Sequence, residues 1–294
     1  MRHAYMIITH NNFPILEKQL RFLDSENADF FIHVDAKVQG FQPERFRSIP
    51  RKSSVTFVDR LSISWGHDSL VRCELSLLKA AVAGQYDYYH LLSGVDVPVK
   101  SRAYIESFFE TAPGVNYINF EKPVISRRHL ERVKFYYPFQ KYNIRRLFLR
   151  RALRELTAGA QRLAGVDRTK KYPGFVFQKG TQWFSITRDL AEYLAGREDE
   201  ILDKFHDTFC ADEVFVQSMV MNSPFRGTLP PTAFDGKHSN CCRYIDWQRG
   251  NPYTFTDDDY EELISTGPSV LFARKFDYKS SPGVVDRLFA HFGE

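Results

Sequence analysis

The chain has 294 residues, 43% of them hydrophobic and 26% charged, enough for a large core, and no apolar run reaches the ~18–20 residues of a membrane-spanning helix. A formal charge of +4 is too mild for a dedicated nucleic-acid binder. Four cysteines, two of them adjacent, offer neither a disulfide framework nor a Cys-x-x-Cys zinc site. The N-terminal MRHAYMIITHNN enters an apolar strand pattern without the regions of a signal peptide, so the expected compartment is a reducing cytoplasm. Aromatic residues at 15% suit a surface that grips sugars or lipids.

In chain order, AYMII at 4–8 reads as a buried strand, 13–23 as a helix, FFIHV at 30–34 as a second strand and VTFV at 55–58 as a third. Leucines and valines at helical spacing over 68–83 predict a helix. A strand at 86–92, a helix near 102–110 and a strand at 115–118 follow. This β-α-β rhythm builds a mixed, mostly parallel sheet flanked by helices. Ligands bind such sheets beyond the carboxyl ends of the strands. That directs attention to THNN at 9–12, Asp35-Ala36-Lys37 and SGVDVPVK at 93–100.

From 126 to 172 the rhythm breaks into a segment rich in Arg, Lys and aromatics, with Glu131, Glu155 and Asp167 its only acids. It reads as a solvated, partly helical insertion, or as a basic surface for an anionic membrane or an anionic acceptor. A strand at 182–186, helices from 188 and near 198–206, and a helix opened by Ala211-Asp212-Glu213 come next. TFTDDDYEELI is a capped helix, with Thr256 or Asp257 at its N-cap and acids in the first turn, rather than a metal site. No linker is visible, so 1–294 is one domain. Its parts are 1–120, the basic insertion (126–172) and 173–294.

Seven segments in order resemble one family: IHVDAK (32–37), SWGHDSLVRCELSLL (64–78), HLLSGVDVPVKS (90–101), GTQWFSITRDLAEYL (180–194), ADEVFVQSMVMNSP (211–224), RYIDW (243–247) and LFARKFD (271–277). Together they look like the core-2/I-branching N-acetylglucosaminyltransferases and the related peptide O-xylosyltransferases. The resemblance implies a GT-A nucleotide-sugar fold and an inverting transfer from a UDP-sugar, with no divalent metal or other cofactor. It makes 1–120 the expected nucleotide-binding half and 173–294 the expected acceptor and catalytic half, and it places Glu213 as the general base. Arg243, Arg274 and Lys275 take the place of a metal at the leaving diphosphate. Ile7, Thr9, His10 and Asp35 line the uracil and ribose pocket, and Trp65, Gly94 and Asp96 form the donor cleft. Glu121, Arg132, Trp183 and Trp247 are the acceptor-side candidates.

The chemistry supports these assignments. Cleavage of an anomeric carbon–diphosphate bond puts charge on the leaving group, which fixed cations stabilise as it develops. Arg brings a planar fork and Lys a point charge, but in a regular strand Arg274 and Lys275 point to opposite faces, so a bend or a strand end is required between them. The expected donor is UDP-N-acetylglucosamine, with UDP-xylose or another UDP-sugar as the alternative. The expected acceptor is a glycan, lipid-linked or polymeric, at the inner membrane face, with peripheral membrane contact through 126–172. Two other classes fit the residues alone. A glycoside hydrolase would pair Glu213 with Asp96 or Asp35. A membrane-surface or nucleic-acid binding module would use the basic insertion as its function.

Overall fold

The seven-residue apolar runs His3–Thr9 (β1) and Ala28–Val34 (β2) are buried along nearly their whole length, as strands covered on both faces must be. The computed structural model describes residues 1–142 and 147–293. Val55–Phe57 (β3), Tyr88–Ser93 (β4), Tyr117–Phe120 (β6) and Gly180–Thr187 (β7) complete a six-stranded sheet in the order β3-β2-β1-β4-β7-β6. Its first four strands are parallel, and β7 runs antiparallel to both β4 and β6. Helices Phe13–Phe22 (α1), Pro43–Arg47 (α2), Ser69–Val82 (α3) and Arg102–Thr111 (α4) follow their strands as the rhythm predicts, with α2 the one addition. The expected fold class, a mixed and mostly parallel sheet flanked by helices, is the one observed.

A second, three-stranded sheet was not anticipated. Asp96–Pro98 (β5), Arg243–Ile245 (β8) and Phe272–Arg274 (β9) assemble in the order β5-β9-β8. Read from sequence, SGVDVP is a loop; in the structure three of its residues are a strand that pairs antiparallel with β9, setting Asp96 opposite Arg274. These strands are three residues long, too short for a period-2 pattern to register. Pro282–Phe292 (α11) packs beneath this sheet through Val284, Val285 and Leu288, which share a core with Val97, Phe255 and Ala273.

The insertion folds as Arg127–Lys134 (α5) and Leu147–Leu163 (α6), each followed by a short 3-10 turn or loop. Arg188–Ala195 (α7), Glu198–Phe205 (α8), Phe215–Met221 (α9) and Tyr260–Ile264 (α10) complete the helices. Asp259 closes a capping box with Thr256, and Asp257 accepts the Val284 amide at 2.5 Å, so two of the three acids serve helix ends. No helix among the described residues is long and apolar enough to cross a membrane. The four cysteines are unpaired and buried.

Candidate active site

β1 and β4 are neighbours, yet the chain leaves β1 toward β2 on one side and reaches β4 on the other. Such a reversal opens a crevice at the carboxyl ends of the strands. A cavity of about 370 Å³ occupies it, lined by Thr9, His10, Asp35, Lys37, Gly94 and Arg274 among others. Gly94 is required there, because a Cβ at this position would stand 2.3 Å from the Thr9 hydroxyl oxygen. Asp35 accepts the Lys37 amide at 2.9 Å and meets its ammonium at 3.2 Å, so it is both a turn residue and a cavity wall. Burial lowers the His10 pKa from its ordinary value, which favours the neutral imidazole. Ile7 is placed elsewhere: strand alternation turns it into the core beside Tyr5 and Leu92, and Ile8 lines the cavity instead.

A larger cavity of about 860 Å³ adjoins the first and shares Trp65, Leu70, Gln182, Trp183 and Arg274 with it. Arg274 stands at the junction. Its Nη1 donates to Asp96 at 2.8 Å and to the Ser93 hydroxyl, and its guanidinium lies 4.0 Å over the Trp183 ring. β9 ends at Arg274, which is the strand end the sequence required. Lys275 nevertheless lines neither cavity. Asp96 is fully buried, accepting from Arg274 and from both the amide and hydroxyl of Ser93, so it anchors Arg274 rather than reaching a ligand. Arg243 is not brought to the cleft either. It is 1% exposed and donates to the carbonyls of Leu91, Phe184 and Cys241, which ties β8 to the large sheet.

Glu213 lies in the larger cavity with Arg132, Trp65, Trp183 and Trp247. Its backbone is held by a short 3-10 turn, Ala211–Glu213, that hangs from two tethers. Cys210 donates its amide to Gly66 at 2.9 Å, and Phe209 donates to the Arg132 carbonyl at 2.9 Å. Arg132 Nη1 meets Glu213 Oε2 at 2.5 Å and Lys179 Nζ approaches the same oxygen at 3.5 Å. Among the described residues no side chain donates to Oε1, which leaves that oxygen for a ligand. Glu121 is set behind this pair, bound to His129 at 2.9 Å and Lys179 at 3.3 Å, and does not line the cavity. Trp247 is half exposed at the rim, and Trp183 is nearly buried beneath Arg274.

Two buried acids adjoin Glu213. Burial first, and then the Glu213 charge, push the Asp212 carboxyl up to about 7. Burial and the Asp212 charge push Glu74, on α3, well above the usual carboxylate range, while Gln182 donates to its Oε1 at 2.9 Å. Sequence reasoning singled out the stretch that holds Lys37 but gave that residue no role, and it missed Glu74, Lys179 and Gln182. Lys37 lies just beyond the carboxyl end of β2, where the rule that ligands gather beyond strands gave a signal, whereas Lys179 precedes β7 and gave none. Glu74 sits inside an amphipathic helix and gave none.

The insertion supplies the cavity's outer wall. Arg128, Arg151 and Arg154 line it, Arg154 lies 4.7 Å over the Phe209 ring, and Arg150 covers Trp65 at 4.6 Å. Among the described residues no three His, Cys, Asp or Glu side chains gather as metal ligands.

The model of the Core-2/I-Branching enzyme family matches residues 3–264, a span that stops short of Arg274. Xylosyltransferase 2 of Rattus norvegicus is 25% identical over 309 residues, covering 99% of this chain and 34% of the relative. Xylosyltransferase 1 of Homo sapiens is 22% identical over 306 residues, covering 98% of this chain and 30% of the relative. The chain thus spans about a third of the length of these curated relatives. A crystal structure of mouse xyloside xylosyltransferase 1 in its apo form aligns with 92% of this chain and 96% of its own, at 12% identity and a TM-score of 0.37.

Proposed function

The chain belongs to the Core-2/I-Branching enzyme family, and on that premise we propose that it transfers a sugar from a UDP-sugar to a hydroxyl of a glycan or protein acceptor, with inversion and without a divalent metal. The observation that carries the reading is Arg274, fixed by a buried carboxylate at the junction of a nucleotide-sized cavity and a larger one that holds Glu213.

In this reading UDP occupies the smaller cavity, its diphosphate reaching Arg274, with Lys37 as a second cation on the wall. The acceptor hydroxyl enters through the larger cavity, past Trp247. Its oxygen bonds to the anomeric carbon on the face opposite UDP while the carbon–oxygen bond to the diphosphate breaks. The electron pair leaves with UDP, and Glu213 Oε1 takes the hydroxyl proton. Arg274 strengthens its hold as charge builds on the phosphate, and it is preorganised because Asp96 and Trp183 already fix its orientation. This role asks for no shared metal between protein and diphosphate.

The donor is xylose in this proposal. Relatives aligned along 98–99% of the chain are xylosyltransferases, which supports the pentose over the N-acetylglucosamine expected from sequence. The hydrolase alternative loses its pairs. Asp96 is locked in an ion pair beneath the surface, and Asp35 lines only the smaller cavity while Glu213 lines only the larger.

A screen of UDP-xylose, UDP-N-acetylglucosamine and UDP-galactose for slow release of UDP, with and without EDTA, tests the reading. Release is expected to be fastest from UDP-xylose and unchanged by the chelator. Faster release from UDP-N-acetylglucosamine would return the donor to the hexosamine, and release abolished by EDTA would remove Arg274 from its assigned role.

A further inference from the structure

An amphipathic helix of a folded domain normally turns its apolar side inward. α6 does the reverse. Leu149, Leu156 and Leu163 recur at intervals of seven residues, so they fall on one face, and Phe148 lies beside them. Phe148 is 78% exposed, Leu156 71% and Leu163 93%, while the opposite face carries buried Ala158 and cavity-lining Arg154. Eight of the twelve large hydrophobic residues exposed among the described residues lie between 136 and 176. The leucine row runs about 21 Å along the helix axis.

The charge around this stripe selects what covers it. Residues 126–172 contain fourteen Lys and Arg against three Asp and Glu, a formal +11. The whole chain is +4, so the remaining residues carry −7. One pole of the molecule is basic and apolar, the rest acidic. Exposed Arg127, Lys141 and Lys170 have no acidic partner among the described residues. A second copy of this chain would bring +11 against +11. A surface rich in phosphate headgroups over hydrocarbon matches both properties.

We propose that the outer face of α6 docks on an anionic lipid bilayer, with Phe148, Leu149, Leu156 and Leu163 among the headgroups and the flanking cations on lipid phosphates. Arg151 and Arg154 line the larger cavity from the opposite side of the same helix, so docking leaves α6 between that cavity and the membrane surface. The inference stands apart from the sugar-transfer reading, since it rests on the face of α6 that points away from the cavity.

Sedimentation of the full chain with vesicles decides it. Phosphatidylcholine vesicles with about 30% phosphatidylglycerol are expected to carry the protein down, and pure phosphatidylcholine vesicles are not. The combined variant Leu149→Ser, Leu156→Ser, Leu163→Ser is expected to weaken binding by about tenfold or more. Its cooperative thermal unfolding transition is expected to match the parent's, which shows that it is folded. Vesicle binding unchanged in the folded variant, or absent in the parent, overturns the proposal. So does a parent dimer, seen by sedimentation velocity, that the variant dissolves without any vesicle binding.

Discussion

Glu213 and Asp212 are adjacent carboxyls with opposite surroundings. Glu213 lines the cavity and meets two cations at one oxygen, with no donor to the other among the described residues, while Asp212 is buried with an unpartnered Oδ1. If Glu213 is the base, Glu213→Gln keeps the shape and removes the proton acceptor. Transfer is then expected to fall by about 10²- to 10⁴-fold with UDP affinity retained, measured by initial rates and calorimetry. Loss of UDP binding as well would make Glu213 a structural residue. Asp212 has a different signature. Its folded pKa, about 7, lies above the ordinary carboxyl value of 3.8, so the folded chain holds a proton that the unfolded chain has released between these values. Stability therefore falls as pH rises through that window. Asp212→Asn removes the titration, and its stability relative to the parent is expected to rise from pH 4 to pH 7, by at most about 4 kcal/mol, in denaturant titrations. A parallel pH dependence in both proteins would show that Asp212 does not titrate there.

At the scale of elements, the site depends on a strand pairing that joins residues 178 positions apart. β5 presents Asp96 and β9 presents Arg274 as register partners, and their ion pair is sunk below the surface with the Asp96 side chain fully buried. Removing one member leaves an uncompensated charge, so Asp96→Ala is expected to cost about 3–5 kcal/mol. The double variant Asp96→Leu, Arg274→Met replaces the pair with apolar volume. It is expected to recover most of that stability while remaining inactive; equal activity in the double variant and the parent would show the pair to be scaffold alone. This pairing also marks the limit of what was legible. β1, β2 and β4 were readable because their apolar runs are long and both their faces are buried, and α1 and α3 between them because their apolar residues recur at helical spacing. β5, β8 and β9 are three residues each and owe their existence to one another. Arg243 was expected at the diphosphate and Asp96 in the donor cleft, but sequence carries no sign of whether a buried charge faces a ligand, a carbonyl or another side chain. Arg243 spends its donors on backbone oxygens of β4 and β7, and Asp96 spends its lone pairs on Ser93 and Arg274. Thr9, Asp35, Gly94, Trp65 and Arg274 do converge, because the crevice between β1 and β4 is fixed by connectivity alone.

Across the whole molecule, the smaller cavity is assembled from positions as distant as Thr9, Asp35, Gly94, Gln182 and Arg274, drawn from both sheets. A ligand there contacts elements that unfolding scatters, so it binds the folded chain and not the unfolded one. At about a hundredfold its Kd, UDP then adds about 2.7 kcal/mol of stability. With about 2.1 cal/mol/K of unfolding entropy per residue over 294 residues, the expected rise in Tm is about 4 °C. Because the diphosphate is assigned to Arg274 rather than to a metal bridge, the same rise is expected in EDTA. Lys37→Ala, which removes a cation from the cavity wall without disturbing the buried Asp96–Arg274 pair, is expected to diminish it. A shift that appears only when manganese is added would mean that the protein's own cations do not suffice to hold the diphosphate. The junction between the two cavities would then be a metal-dependent site whose ligands come partly from the nucleotide.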